Sequence, residues 1–152
     1  MVRNRLEFEA SAEDVWSYVL NNIPNLAHCV PGAELTVIDG QNYAGKMEAR
    51  LGPIRVRFTG RVRIEELDEE RHAARLRVEA RETRGLGGAT ATVNAQLQPR
   101  DHGSVCSLES EFELSGVAAQ FGRANLIEEV SQRMAERFAK CVEQEIKAAR
   151  AR

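Results

Sequence analysis

Residues 2 to 9 alternate, with Leu6 and Phe8 on one face and Arg5, Glu7 and Glu9 on the other, the two-residue period of a strand. Ser11 then reads as a helix N-cap, with Glu13 and Asp14 in the first turn and Val15, Trp16, Val19 and Leu20 recurring behind it. NNIPN ends that helix, and a second short helix is expected over residues 23 to 28.

From residue 33 the period is two again. Residues 33 to 38 and 42 to 50 predict a hairpin about Asp39-Gly40. Residues 54 to 66 place Ile54, Val56, Phe58, Val62 and Ile64 on one face and Arg55, Arg57, Arg61 and Arg63 on the other. Residues 73 to 84 oppose Ala74, Leu76, Val78 and Ala80 to Arg75, Arg77, Glu79 and Arg81. Residues 89 to 98 collect Ala89, Ala91, Val93, Ala95 and Leu97, and residues 104 to 114 set Cys106, Leu108, Ser110, Phe112 and Leu114 against Glu109, Glu111 and Glu113. The period then lengthens: Ile127, Val130, Met134, Phe138, Cys141, Val142 and Ile146 recur at helical spacing, predicting one amphipathic helix over residues 118 to 150.

The order β-α-α-β-β-β-β-β-β-α predicts an α+β fold in one domain, residues 1 to 152, in which a curved seven-stranded antiparallel sheet wraps a long C-terminal helix and two short helices follow the first strand. Loops of a meander alternate between the two ends of the sheet. One end receives the charged loops DGQ, DEERH and PRDHG. The other receives RLGP, RGLGG and SGVAAQ, tipped by Leu51, Leu86 and Val117, with Phe121 just beyond. The CVPG stretch, Cys29 to Gly32, falls at this second end, so its apolar residues are expected to line a mouth. Small residues on the sheet's inner face (Ala89, Ala91, Ala95 and Ser110 among them) either let the helix sit close in a packed core or leave a cavity beneath it. The expected path of an apolar ligand passes Val30, Pro31, Leu51, Leu86 and Phe121 and ends against Phe58, Leu76, Val78, Ala91, Val93, Leu108 and Phe112, beneath Ile127, Val130 and Met134. Glu82 and Arg84 fall on the same inner face near the mouth. They either bind a ligand's polar head or turn with the strand to solvent.

A net charge of −2 and a single tryptophan, Trp16, give no pull toward nucleic acid and no base-stacking platform. Arg55, Arg57, Arg61, Arg63, Arg75, Arg77 and Arg81 nevertheless share the outer sheet face, either as a docking patch for an acidic partner or anionic headgroups, or as a solvated surface. Three scattered cysteines, Cys29, Cys106 and Cys141, suit neither a disulfide framework nor a zinc knuckle, and no apolar signal-like or membrane-spanning run is present. A reduced, cytoplasmic protein touching membranes only peripherally is the expectation. His28 beside Cys29 suggests a thiol–imidazole pair, but adjacent residues rarely face each other, so a packing role is expected and no catalytic residue is assigned. No HxxE, HxxxH or CxxC spacing points to a metal, and RGLGG lacks the Lys-Ser/Thr pair of a phosphate loop.

CVPGAE (29 to 34), YAGKMEARLGPIRVRFTG (43 to 60), RGLGGATATVNAQL (84 to 97) and AAQFGRANLIEEVSQRMAERFAKC (118 to 141) together resemble the G-subunit family of carbon monoxide dehydrogenase, within the helix-grip START and birch-pollen-allergen (SRPBCC) superfamily. The resemblance spans nearly the whole chain. It implies a non-catalytic accessory protein with no cofactor of its own, binding a lipophilic, quinone-like or isoprenoid molecule and assisting a molybdenum hydroxylase-type dehydrogenase at the membrane. A ligand-free assembly factor and a cyclase or aromatase are the alternatives, the latter resting on Tyr43 and Glu82. Many relatives carry a membrane-reaching C-terminal tail. The sequence ends at Arg152, so tethering by a tail is not expected.

Overall fold

A computed structural model describes residues 1–30, 32–51, 53–116, 118–119 and 126–151, and for residues 49–51, 54 and 126 it describes the backbone alone. The elements are β1 (Val2–Phe8), α1 (Ala12–Asn21), α2 (Ile23–Leu26) running into a 3-10 turn (Ala27–Cys29), β2 (Ala33–Asp39), β3 (Asn42–Leu51), β4 (Ile54–Asp68), β5 (Ala73–Glu82), β6 (Gly87–Arg100), β7 (Gly103–Gly116) and α3 (Leu126–Arg150). The seven strands form one antiparallel sheet in the order β1-β7-β6-β5-β4-β3-β2. The α+β helix-grip architecture expected from the alternation is therefore present.

Local chemistry sets the boundaries. The Ser11 side chain accepts from the Asp14 N–H at the start of α1, and Pro24 stands in the first turn of α2, where its missing N–H removes nothing. β5 ends at Glu82, two residues before the end of the alternating run, because Thr83 to Leu86 turn back toward β6. Register partners Gly45, Gly60, Ala80 and Ala89 form a row of small residues across four strands. A Cβ at Gly60 would strike the Glu79 carbonyl and the Ala80 Cα, so this row depends on having no side chain there.

α3 runs along β1. Asn4 donates to Gln132 Oε1 at 3.0 Å and to Ser131 Oγ at 3.3 Å. Further on, the Glu143 carboxylate accepts from the Ala10 N–H at 3.0 Å and from the Glu9 N–H. Lys147 pairs with Glu9, and Arg150 with Asp14. The core lies where the C-terminal half of the helix meets β1, α1 and the neighbouring ends of β6 and β7: Leu6, Phe8, Val15, Leu26, Leu97, Ala139, Val142 and Ile146 are all buried in it.

Candidate functional site

The register places apolar side chains in rows across the inner face of the sheet. Val62, Val78, Ala91 and Phe112 are successive partners, and Ile64, Leu76, Val93 and Ser110 form the next row. Phe58 pairs with Glu82 one step nearer the glycine-rich end. Burial divides this face. Ala91, Ile64 and Ser110 are closed off, whereas Phe58, Leu76, Val78, Val93 and Leu108 are only partly covered and Phe112 is 37% exposed. α3 shows the same division. Ala135, Ala139, Val142 and Ile146 are buried, but Ile127, Val130 and Met134, toward its N-terminus, remain half-exposed. The helix packs chiefly on β1. Beside the closed core, an apolar trough is left between the N-terminal half of α3 and the middle of β4 to β7.

Of the residues expected at the mouth, Val30 is half-buried and Leu86 is exposed on the β5–β6 turn. Pro31, Val117 and Phe121 lie outside the described residues, as does the Leu51 side chain. Glu82 does point inward, with its side chain 1% exposed. Its carboxylate is occupied by its own turn, accepting from the Arg84 N–H at 2.7 Å, Arg84 Nε at 3.2 Å and the Leu86 N–H at 3.4 Å. Burial pushes this carboxyl up, but the backbone and guanidinium donors of Arg84, the Leu86 N–H and the Arg84 charge outweigh it and hold the group below the usual carboxylate range. Arg84 is more than half exposed and also donates to the Arg55 carbonyl at 3.4 Å. This pair therefore braces the turn.

The arginines do share the outer face, but several are partnered. Glu48 takes both Arg55 (3.0 Å) and Arg57 (3.7 Å), Glu65 takes Arg63 (3.1 Å), Glu66 takes Arg75 and Glu79 takes Arg77 (3.7 Å). A separate cavity of about 560 Å³ opens at the opposite, charged-loop end, between the start of α1 (Ser11 to Glu13), the β4–β5 turn (Glu70 to His72) and the end of β6 (Gln96 to Pro99). None of the residues expected to hold a ligand reaches it.

The cysteines correct the reading of the sequence. Cys29 and Cys141, expected to be reduced and independent, form a disulfide with Cα atoms 5.5 Å apart. A separation of 112 residues carries no local spacing signal, and the pair meets only because α3 passes over the 3-10 turn. The bond also removes the cysteine-based reason for assigning a reducing compartment. Spacing also hid the neighbour of this pair. His28 Nε2 lies 3.8 Å from Cys29 Sγ and 3.7 Å from Cys141 Sγ, and Glu145, one turn beyond Cys141, sits 3.1 Å from the same nitrogen. Cys106, the remaining thiol, is largely buried and has its pKa pushed up to about 11 by that burial, which keeps it protonated at neutral pH. None of the described helices is long and apolar enough to cross a membrane.

The same architecture occurs in solved structures of low identity. A conserved protein from Geobacillus kaustophilus superposes with a TM-score of 0.79 at 19% identity, over 97% of this chain and 93% of its own. A Thermus thermophilus protein gives 0.67 at 19% identity, covering 97% of each chain. The Zhui aromatase/cyclase from Streptomyces sp. R1128 gives 0.65 at 16% identity, over 99% of this chain and 94% of its own. No curated protein matches the chain. These likenesses establish the fold, and the sequence pattern of one family, matching residues 5–147, goes further: the chain belongs to CoxG, the G-subunit family of carbon monoxide dehydrogenase.

Proposed function

We propose that this protein carries a lipophilic molecule, quinone-like or another isoprenoid, in the trough between sheet and α3. In this reading it serves a molybdenum hydroxylase-type dehydrogenase as an accessory protein at the membrane surface, as its family name suggests. One observation supports the reading above all. Phe58, Leu76, Val78, Val93 and Phe112 face Ile127, Val130 and Met134, and all of these apolar side chains are incompletely covered beside a core that is fully closed. Covering roughly 300 Å² of apolar surface at about 25 cal/mol/Å² contributes several kcal/mol before the costs of association, which is enough for useful affinity. The groups available for a cyclase-type reaction fit less well: Glu82 is held by its own turn, and Tyr43 is buried.

Native mass spectrometry of the freshly purified protein, followed by solvent extraction, tests the reading directly. A co-purified isoprenoid is the expected result, with Ala91→Trp, which fills the middle of the trough, losing it while remaining folded. A ligand-free mass that quinones and lipids leave unchanged would overturn the carrier reading.

A further inference from the structure

The disulfide pair has a histidine that a disulfide does not need. His28 Nδ1 lies against the Asn25 backbone carbonyl, which can only accept, so Nδ1 carries the proton. That leaves Nε2 as the nitrogen facing the two sulfurs, and anchoring one ring nitrogen on a carbonyl is how proteins orient metal-binding histidines. The atoms His28 Nε2, Cys29 Sγ and Cys141 Sγ all lie within 4.8 Å of one another. Around a tetrahedral zinc ion, with Zn–S of about 2.3 Å and Zn–N of about 2.0–2.1 Å, neighbouring ligand atoms stand roughly 3.6–3.8 Å apart. The two nitrogen–sulfur separations, 3.8 and 3.7 Å, already match, and only the sulfur–sulfur edge must open. Glu145, at 3.1 Å from Nε2, adds negative charge beside the fourth position, and His28 is exposed enough for an ion to arrive from solvent.

We propose that, once the disulfide is reduced, His28 Nε2, Cys29 Sγ and Cys141 Sγ form a three-ligand site for a thiophilic divalent cation of the Zn²⁺ class, and that the disulfide and the metal exclude each other. A thiol or phosphine reductant supplies two electrons, the S–S bond accepts them with two protons, and metal binding then releases both thiol protons. In the oxidised state the sulfurs carry no thiolate charge and hold no ion. Either state ties the turn after α2 to α3. The proposal is independent of what the trough carries.

Titrating the intact protein with Co²⁺, after reduction with tris(carboxyethyl)phosphine, is the test. The expected result is a near-ultraviolet thiolate-to-cobalt band that saturates at one equivalent and is bleached by Zn²⁺. Cys106→Ser should leave it unchanged, and His28→Gln, a change at an exposed side chain, should weaken binding at least tenfold. The unreduced protein should give no band. No band after reduction, or unchanged affinity in His28→Gln, would overturn the site. Equal binding with the disulfide intact would overturn the exclusion. Should Cys29→Ser fail to fold because Cys29 is buried, His28→Gln and Cys141→Ser still decide the outcome.

Discussion

Phe112 stands directly across from Ala91 in the β6–β7 pair, yet Ala91 is buried and the phenyl ring is 37% exposed. An aromatic ring on the inner face of a sheet, with a helix alongside, would ordinarily be among the best-covered side chains. Its exposure marks the trough. Phe112→Ser should therefore change the unfolding midpoint by only a few degrees, while uptake of an apolar fluorescent probe falls about tenfold, the equivalent of one partly buried aromatic contact. Probe binding measured beside thermal unfolding checks this. A large loss of stability with unchanged uptake would show that Phe112 belongs to the core.

Val142 provides the contrast. It is 0% exposed, one turn along α3 from Phe138 and inside the closed core. Removing two carbons there leaves a void that rigid neighbours cannot fill. Val142→Ala should cost about 2–3 kcal/mol in urea unfolding, with probe uptake unaltered in the folded protein.

Much of this arrangement is legible in the sequence. The two-residue period gives each strand a face, and the register places Val62, Val78, Ala91 and Phe112 on one. The change to helical spacing marks α3. Periodicity cannot report how completely a face is covered, because Val78 and Val142 both read as inward apolar residues yet only Val142 is sealed. Nor does it show whether an inward carboxylate is free: the partners of Glu82 are the guanidinium and backbone N–H groups of a turn that the alternating pattern overruns. The meeting of His28 and Cys29 with Cys141 and Glu145 depends on how α3 lies along β1, which no local pattern encodes.

Glu82 makes stability depend on pH. Its folded-state pKa is depressed below the unfolded carboxylate value of about 4.3, so its stabilising effect is fully present above that value and is lost as pH falls through the folded-state pKa. Glu82→Gln should lower the melting temperature by several degrees at pH 7, and the gap to the wild type should close below about pH 4. Thermal melts across pH 3 to 7 decide it, a gap independent of pH ruling out the charge as its source.

The arginine face distinguishes docking from carrying. Glu48 already partners both Arg55 and Arg57, and Glu79 and Glu66 partner Arg77 and Arg75, so reversal to Glu would break these pairs and leave like charges side by side. Exposed pairs of this kind contribute little to stability, so the fold should tolerate the change. Replacing Arg55, Arg57, Arg75 and Arg77 together by Glu should abolish retention of a dehydrogenase partner at low salt and leave probe uptake unchanged. Retention equal to the wild type would assign the patch to solvation.

The Cys29–Cys141 bond encloses most of the chain, since its ends are 112 residues apart. Closing a loop of that order restricts the unfolded ensemble enough to stabilise the fold by about 4–5 kcal/mol in the chain-entropy account, with measured values often smaller. For a domain of this size each kcal/mol shifts the midpoint by roughly 2–4 °C. Reduction in the presence of a chelator should therefore lower the melting temperature by about 10 °C, and the double replacement Cys29→Ala with Cys141→Ala should melt near the reduced protein whether or not reductant is present. Cys106, largely buried and held as a neutral thiol, contributes nothing to this difference, so Cys106→Ser should respond to reductant as the wild type does. A wild-type melting temperature unmoved by reductant would mean that the two sulfurs are not bonded in solution, because no other pair among the three cysteines is positioned to replace them.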